Sequence, residues 1–483
     1  MNKEGIPASQ EVNASLPDTM MERLGKDCFD IGYRELIVSE RKVYIFYVTG
    51  LIDSVLLQVV ITELLSLNSL PAIADNLFGE IGNRLVHQQV TIEKDMEKAA
   101  LQVLSGLVAI GIEGTADIYV LDLRSYPGRG PAEPDTEKTV RGSRDGFTEN
   151  IVINTALIRR RIRTNMLKNE IFQIGRDSHT DIAMMYLEGV ADPRIIENVR
   201  NRIKGVETDS LTMSDKELEE FMTHQVYNPY PLVRYTERPD VAAAQLYQGQ
   251  VAVIVDTSPS VMLAPVTFFD HLTAAEEHRQ TPAVGTFLRF IRFSGIIMSV
   301  FLMPTWLLVV LHPELLPAGL SFIGPQQEGN LSIILQVIVG ELGIEFIRMA
   351  AIHTPSAIGS ALGIVSAIMI GGVAVDIGLF GPEVLFYVAV GTLGGFVTPS
   401  YELGLANKMF KMFIIIGVIL LGVWGYIGAA VLGFIYLATI KSFGQPYLYP
   451  LIPFNGRELF QSIFRVSSRY QYRARIEQRK NKH

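Results

Sequence analysis

Residues 43–53 read Val-Tyr-Ile-Phe-Tyr-Val-Thr-Gly-Leu-Ile-Asp, an apolar run that reaches a glycine and continues into the amphipathic segment 54–67. This pattern predicts a buried strand, a turn at Gly50 and a helix. Residues 181–192, Asp-Ile-Ala-Met-Met-Tyr-Leu-Glu-Gly-Val-Ala-Asp, repeat the pattern with a turn at Gly189, and Pro193 stands where a first helical turn accepts proline. The two glycines lie 139 residues apart, which indicates an internal duplication.

Each copy is followed by a second β-like element that supports the duplication. The first begins at Gly106 and the second at Gly249, 143 residues later. We therefore predict two similar α/β lobes that form a soluble N-terminal region, followed by an all-α polytopic membrane domain. The predicted boundaries are a polar lead (1–35), a first lobe (36–125), a Pro/Gly-rich linker (126–150), a second lobe (151–284), a transmembrane domain (285–441) and a basic cytosolic tail (442–483).

The membrane domain is predicted from its lack of charge. Between Phe293 and Ile440 the Lys and Arg residues number only three, Arg348, Lys408 and Lys411. A helix needs about 20 apolar residues to cross a bilayer. Segments of this kind lie at roughly Phe290–Leu311, Leu331–Ala350, Ser356–Leu379 and Glu383–Pro399, with a longer run at Met412–Thr439.

The distribution of Lys and Arg predicts the orientation. Basic residues precede the first span, end the second, follow the fourth and fill the tail, whereas loops 312–330 and 379–383 contain none. The first 35 residues lack the apolar core of a signal peptide, so we expect the N-terminal region to stay on the cytosolic side. We predict about six crossings with both termini cytosolic, the last two forming a short hairpin broken near Trp424–Gly428.

Composition and motifs exclude several classes of function. The chain of 483 residues is 48% hydrophobic and 19% charged, with a net charge of −8 and a single cysteine, Cys28, so a multi-cysteine zinc site is excluded. No nucleotide-binding, hydrolase or metalloprotease motif is present, and we predict no enzyme, no cofactor and no metal. Residues 1–292 hold 41 acidic and 30 basic residues, a balance that disfavours nucleic acid. We expect the basic cluster 159–163 to pair with acids or lipid head groups.

Acidic residues in the predicted spans are the candidates for an ion path. Glu341, Glu345 and Arg348 share one helix face, and the spacing places Glu341 near the bilayer midplane. An ionisable group at that depth costs at least about 2.5 kcal/mol, so it must face protein or water. Glu341 either lines a pore or is the partner of a buried base elsewhere. Asp376, near a span end, is a weaker candidate for the path.

Small residues mark faces for close helix packing. Gly359, Gly363 and Gly371 form one stripe, and Gly391 and Gly395 begin a second. Such stripes let helix backbones approach each other. The packing is either within one chain or between subunits.

The connector 230–240, Tyr-Pro-Leu-Val-Arg-Tyr-Thr-Glu-Arg-Pro-Asp, has prolines that fix two bends and charges that can pair locally. A ligand-binding role is possible, but composition favours an ordered turn.

Several motifs together resemble one known family. They are Arg141-Gly-Ser-Arg-Asp-Gly-Phe-Thr-Glu149, Asn154-Thr-Ala-Leu-Ile-Arg-Arg-Arg-Ile162, Tyr235-Thr-Glu-Arg-Pro-Asp240 and Gly249-Gln-Val-Ala-Val-Ile-Val-Asp256. In this order they are similar to the GerA family, the A-subunit family of spore germinant receptors. Segments 346–355 and 398–408 resemble the stage V sporulation protein AF branch of that family. The motif residues are Arg160, Arg161, Glu237, Arg238, Pro239 and Asp240.

The resemblance implies a function in germination. It implies a protein of the spore inner membrane that acts without catalysis as an oligomeric ion-conducting channel, or as an accessory that strengthens ion release with a small membrane partner. A germinant-receptor subunit that senses a small molecule and a scaffold of the dipicolinate-release complex are the alternatives. The expected partners are the lipid bilayer, further copies of the chain and other germination proteins, with no nucleic acid.

Overall fold

The computed structural model describes residues 16–25, 28–69, 77–85, 90–125, 142–325, 330–353 and 371–466. The chain divides into two compact units. The first contains Met1–Gln225 and Tyr235–Pro265, and the second contains Val226–Arg234 and Val266–His483.

The first lobe is a five-stranded antiparallel sheet with helices on both faces. Its elements are α1 (Leu16–Leu24), β1 (Ile31–Val38), β2 (Arg41–Val48), α2 (Ser54–Ser66), α3 (Leu77–Arg84), β3 (Val90–Glu93), α4 (Met96–Leu104), β4 (Val108–Ile112) and β5 (Ile118–Leu121). The strand order is β1-β2-β4-β5-β3. Along β2, Val43 and Ile45 pack toward α2 and α3, while Tyr44 and Phe46 pack toward α1 and α4. Both faces of this strand are buried, which explains why its sequence is apolar without alternation.

The second lobe repeats this plan. Its elements are α5 (Ile151–Arg159), β6 (Leu167–Ile174), β7 (Thr180–Leu187), α6 (Pro193–Lys204), α7 (Ser214–Thr223), β8 (Arg234–Thr236), α8 (Pro239–Leu246), β9 (Val251–Val255) and β10 (Val261–Ala264). The strand order β6-β7-β9-β10-β8 matches the first sheet strand for strand. The predicted α/β duplication is confirmed.

Equivalent turns in the two lobes share the same backbone chemistry. Gly50 and Gly189 have φ of 82° and 75°, a left-handed conformation that glycine adopts without a Cβ clash. Three residues later, the carboxylates of Asp53 and Asp192 accept backbone N–H groups at the starts of α2 and α6. The strand-turn-helix pattern in the sequence therefore corresponds to the same glycine turn and aspartate helix cap in both lobes.

A buried ion pair joins the two lobes. The Arg159 guanidinium donates from Nε and Nη2 to Asp30, at 2.7 Å and 3.1 Å, and the two side chains are 0% and 1% exposed. Arg159 also donates to the carbonyl oxygens of Thr164 and Leu167. Burial alone would lower the pKa of Arg159, but the Asp30 carboxylate outweighs it and raises that pKa. Charge neutralisation and four hydrogen bonds compensate the burial of this guanidinium.

The first lobe begins before residue 36. Helix α1 and the start of β1 lie in the segment expected to be a polar lead, and Met20 and Leu24 are fully buried in the core of the lobe. The acidic residues in and around this short helix made the segment look polar, so its apolar face was not recognised from the sequence. Residues 1–15 and most of the linker, 126–141, lie outside the described residues.

The second unit is helical. It contains α9 (Pro282–Leu311), α10 (Ile333–His353), a short turn at Ala374–Asp376, α11 (Pro382–Phe396), α12 (Tyr401–Thr439), the hairpin β11 (Lys441–Ser442) and β12 (Gln445–Pro446), and α13 (Gly456–Ile463). In the described part of the chain, α9 and α12 are long and apolar enough to cross a membrane. The predicted helical C-terminal region is confirmed to this extent, and the number of crossings stays a prediction.

Helix α12 folds back on itself at Gly422. This residue has φ 55° and ψ −129°, which interrupts the helix. A Cβ placed on Gly417 would lie 2.7 Å from the carbonyl oxygen of Gly425, and one on Gly433 would meet the ring of Phe410. Residues 23 positions apart are about 35 Å apart along a straight helix, so the two halves are antiparallel. The turn lies two residues before the segment expected to break, Trp424–Gly428.

Candidate functional site

Two helices of the second unit place opposite charges against each other. Lys411 Nζ of α12 lies 2.5 Å from Glu341 Oε2 of α10, with the side chains 3% and 2% exposed. Because both side chains are almost completely buried, neither charge is solvated by water. The pair supplies the opposite charge that makes burial of each side chain tolerable.

One turn further along, a second acid contacts two bases. Glu345 accepts from Arg348 of its own helix and from Lys408 of α12. Arg348 also lies over the ring of Tyr401, 5.3 Å from its centroid, a cation–π contact. We call the five charged residues the charge ladder: Glu341, Glu345, Arg348, Lys408 and Lys411.

The spacing of the residues explains the ladder. Glu341 and Glu345 are four residues apart on α10, and Lys408 and Lys411 are three apart on α12, so each pair occupies one helix face. Facing rows of opposite charge fix the register of the two helices. The sequence analysis found the acids but not their lysine partners, although the spacing of two lysines in an apolar run was a usable signal.

Polar atoms in and beside the ladder have incomplete hydrogen bonding. Within the described residues, Glu341 Oε1 and Asn407 Nδ2 are buried and have no hydrogen-bond partner. Asn407 lies one helical turn before Lys411. A buried carboxylate with one free oxygen loses part of its solvation energy. A water molecule or a cation that reached Glu341 Oε1 would therefore gain a contact that the protein does not supply.

The other predicted path residue is separate from the ladder. Asp376 is exposed on the turn Ala374–Asp376 and is not one of the ladder's charges. The path assignments of Glu341, Glu345 and Asp376 stay predictions. Among the described residues, no cluster of His, Cys, Asp or Glu could hold a metal ion.

Glycines produce the closest approach of α9 and α11. A Cβ on Gly394 would overlap the carbonyl of Gly295, and one on Gly295 would lie 3.3 Å from the carbonyl oxygen of Gly394. The predicted packing residues Gly391 and Gly395 face the same helix at 3.9 Å from Met298 O and Ser299 Cβ. Gly394, which the sequence analysis did not select, makes the tighter contact.

The other predicted stripe is described only at its end. A Cβ on Gly371 would meet no described atom within 4 Å. Gly359 and Gly363 lie outside the described residues.

The motif residues of the first unit form local ion pairs. Arg161 donates to Asp145 at 2.5 Å and to Ser143. Burial raises the pKa of Asp145, but hydrogen bonds from Arg161 and Ser143 outweigh it and hold that pKa below its usual range. Arg160, the preceding residue, is exposed at the end of α5.

The second part of the motif begins helix α8. Arg238 is fully buried and donates both to the Asp240 carboxylate and to the carbonyl of Ser143. Pro239 is the first residue of the helix, and the Glu237 carbonyl accepts from Phe147 N–H. Local pairing of Arg238 with Asp240 agrees with the interpretation of this segment as an ordered turn.

Comparisons with known proteins match nearly the whole chain. The family model described as "Bacillus/Clostridium GerA spore germination protein" matches residues 18–476. The chain is 48% identical to stage V sporulation protein AF of Bacillus subtilis (strain 168), over 91% of this chain and 89% of that protein. It is 31% identical to spore germination protein A1 of the same organism (77% of each chain) and 30% identical to its uncharacterized membrane protein YfkQ (78% and 74%).

A solved structure is also similar to part of the chain. It is the crystal structure of the N-terminal domain of the A subunit of the Bacillus megaterium spore germinant receptor GerK3, 24% identical with a TM-score of 0.40. The match covers 53% of this chain and 98% of that chain.

Proposed function

Because the chain belongs to the GerA family of spore germination proteins, we propose that this membrane protein conducts ions, or strengthens their release, as an oligomer during germination. It acts in the spore inner membrane, with both termini on the core side and about six crossings. Other copies of the chain, a small membrane partner and other germination proteins are its expected partners. No catalytic step is part of the proposal.

The observation that carries the proposal is the charge ladder. A membrane helix excludes ionisable residues unless they serve a path, a relay or a partner, because each costs several kcal/mol in hydrocarbon. Five charged residues here meet between two apolar helices, and two of them are almost completely buried.

The ladder in its paired form represents the closed state in this proposal. Glu341 is 2% exposed, so its carboxylate does not reach water while Lys411 holds it. Separation of α10 from α12 would release Glu341 and Glu345 from the two lysines of α12, and acids that face a path attract cations and exclude anions. The unpaired Glu341 Oε1 is the atom from which a cation or water would first gain a contact.

Flux through reconstituted protein tests the proposal. The purified chain is inserted into K⁺-loaded liposomes, and release is followed beside liposomes with heat-denatured protein. The expected results are K⁺ release above the control and chemical crosslinks between copies of the chain. A scaffold of the dipicolinate-release complex, or a subunit that only senses a germinant, would release no K⁺ when it is the sole protein in the liposomes. Substitution of the ladder charges would then have no effect on K⁺ release.

A reporter experiment tests the proposed crossings. Reporters fused after Lys411 and at the C-terminus should both report the cytosolic side, because the fold-back at Gly422 returns the chain to the side from which α12 starts. If the two reporters lay on opposite sides, the last apolar run would cross once, and the chain would have five crossings.

A further inference from the structure

A shallow pocket lies at the start of α9. Two arginines of this helix, Arg289 and Arg292, line it together with Phe269, Leu272, Phe293 and Ser462. Its empty volume is about 200 Å³, with the open mouth included. Arginine is the side chain that recognises phosphate and carboxylate groups in a planar, two-pronged geometry. A pair of arginines between apolar walls therefore indicates a site for an anion.

One of the two arginines fixes the shape of the pocket. Arg289, 7% exposed, donates from Nε to the Glu277 carboxylate at 2.6 Å. Its Nη1 donates to the carbonyl oxygens of Gln461 and Ser462, at 2.7 Å and 3.1 Å. These carbonyls belong to the last turn of α13, where no helical N–H remains for them. Arg289 therefore joins α13 to α9 and is itself held in place.

The other arginine keeps one edge of its guanidinium free. Arg292 Nη1 donates to the Leu272 carbonyl at 2.9 Å and contacts the Glu277 carboxylate. Its Nε is buried and has no hydrogen-bond partner within the described ranges of the chain. No described residue accepts a hydrogen bond from its Nη2 either. Nε and Nη2 together form the edge of arginine that binds two oxygens of one phosphate group. This edge is available to an anion in the pocket.

The charges around the pocket favour an anion. Glu277, 0% exposed, is shared by Arg289 and Arg292, so the pair keeps one positive charge that this carboxylate does not neutralise. Glu276 and Arg234 act on Arg292 with opposite signs. Arginine stays protonated in proteins even where it is buried. An anionic group in the pocket would compensate the excess charge and supply acceptors that Arg292 lacks.

The wall formed by residues 269–273 is also fixed. Arg234 donates to the carbonyl oxygens of Asp270 and Thr273, at 2.7 Å and 3.1 Å. The rings of Phe269 and Phe293 meet edge to face, with centroids 6.5 Å apart. Because the walls are held by contacts within the protein, binding of an anion requires little further ordering.

The pocket lies where the apolar part of α9 begins. Arg292 is the last charged residue of this helix, which is long and apolar enough to cross a membrane. Phe293 and Ile297 follow Arg289 at spacings of four and eight residues, so the three share one face of α9. Ile297 is 59% exposed. Basic pockets between helices at this level bind the head groups of anionic lipids, and an acyl chain would then lie along Phe293 and Ile297.

We propose that Arg289 and Arg292 form a binding site for one phosphate group, which Nε and Nη2 of Arg292 hold in a two-pronged contact. An anionic lipid and inorganic phosphate both carry this group, and a lipid gains the additional apolar contacts along α9. The bound group neutralises the excess positive charge and strengthens the contact of α9 with α13. The site does not depend on ion conduction, so it is tested separately from the proposed function.

Thermal unfolding of the full chain in detergent tests the site. A ligand that binds the folded protein raises the melting temperature as its concentration rises, which gives an affinity. Dioctanoyl phosphatidylglycerol is the lipid probe, and dioctanoylglycerol, which has the same chains without phosphate, is its control. Inorganic phosphate is the solution probe, and chloride at equal ionic strength is its control.

Substitutions of Arg292 separate a specific site from general attraction of anions. Arg292→Gln removes the free edge while Glu277 keeps its contact with Arg289, and it should weaken binding of the phosphate probe about tenfold or more. Arg292→Lys keeps the charge beside Glu277 but not the two-pronged edge, so it should weaken binding by a smaller factor. Arg457→Gln, which removes an exposed charge of α13 outside the pocket, should change the affinity by less than about threefold.

The two probes identify the source of the phosphate group. Dependence on Arg292 with both probes would establish a site that accepts lipid and free phosphate. The same dependence with phosphatidylglycerol alone would identify a lipid site, and with inorganic phosphate alone a site for the anion in solution.

Two results would overturn the proposal. The first is that neither probe stabilises the original chain beyond its control. The second is that the Arg292 variants bind the probes as tightly as Arg457→Gln does. If Arg292→Gln does not fold, Arg292→Lys retains the charge that pairs with Glu277 and decides the comparison.

Discussion

Replacement of Asp30 by Asn should open the contact between the two lobes. The substitution keeps the shape of the side chain but leaves the Arg159 charge, fully buried, without a compensating carboxylate. Removal of one partner from a buried pair costs about 3–5 kcal/mol. The carbonyls of Thr164 and Leu167 still accept from Arg159, which places the expected cost toward the lower value.

The single cysteine reports this opening. Cys28 is 7% exposed, and its thiol donates to the Leu167 carbonyl at 3.6 Å, beside the ion pair. Burial raises the pKa of this thiol, so reaction requires local opening. If the opening free energy falls by about 3 kcal/mol, labelling of the detergent-solubilised chain should accelerate about 10²-fold.

Matched variants separate the ion pair from other effects. Arg194→Gln breaks an exposed pair with Asp192 and should change the labelling rate by less than about threefold, because exposed pairs contribute under about 1 kcal/mol. Asp30→Asn combined with Arg159→Met removes the uncompensated charge and should recover part of the protection. An acceleration below about threefold in Asp30→Asn would refute the reasoning, since the buried pair would then be no stronger than the exposed one.

Three further substitutions and one control variant test the helix packing, the turn at Gly422 and the acid sensitivity of the structure. Gly394→Ala should lower the free energy of unfolding of the detergent-solubilised protein by about 1–3 kcal/mol, seen as a lower melting temperature, because the added Cβ meets the backbone of α9. The control Gly428→Ala should leave the melting temperature unchanged, because open space surrounds that position. Gly422→Ala should cost about 1–3 kcal/mol for its backbone conformation and reduce the amount of folded protein. Burial raises the pKa of Glu170, but hydrogen bonds from Arg200 and Tyr186 outweigh it and leave that pKa below its usual range. Its stabilisation is therefore present above about pH 4.3 and is lost as the pH falls through the folded-state pKa, and Glu170→Gln should flatten this part of a pH titration of stability followed by circular dichroism.

The duplication of the lobes could be predicted because each repeat encodes its own signals locally. The apolar strand, the glycine turn and the capping aspartate are neighbours in sequence, so the pattern at 43–53 and at 181–192 is sufficient. The start of the first lobe could not be located in the same way. Helix α1 is only nine residues long, and its burial depends on strands that follow it in the chain.

The partners of charged residues are a second limit of sequence reasoning. Asp30 and Arg159 are 129 residues apart, and Glu341 and Lys411 are 70 apart. Periodicity identifies the face on which each charge lies but not the element opposite. For this reason the sequence left two roles open for Glu341, an acid that lines a pore and an acid that pairs with a buried base, because the position of Lys411 opposite it could not be predicted.

The measurement that tests the proposed function most directly is ion selectivity after removal of the Glu341–Lys411 pair. Glu341→Gln with Lys411→Met removes both charges together, so neither is left unpaired and the folded protein should be present at a normal level. Glu341→Gln alone leaves Lys411 uncompensated and should reduce that level. In liposomes, the account predicts that the double variant conducts with a lower ratio of cation to anion permeability than the original chain. A normal level of the double variant with an unchanged ratio would contradict a role of the ladder in the ion path.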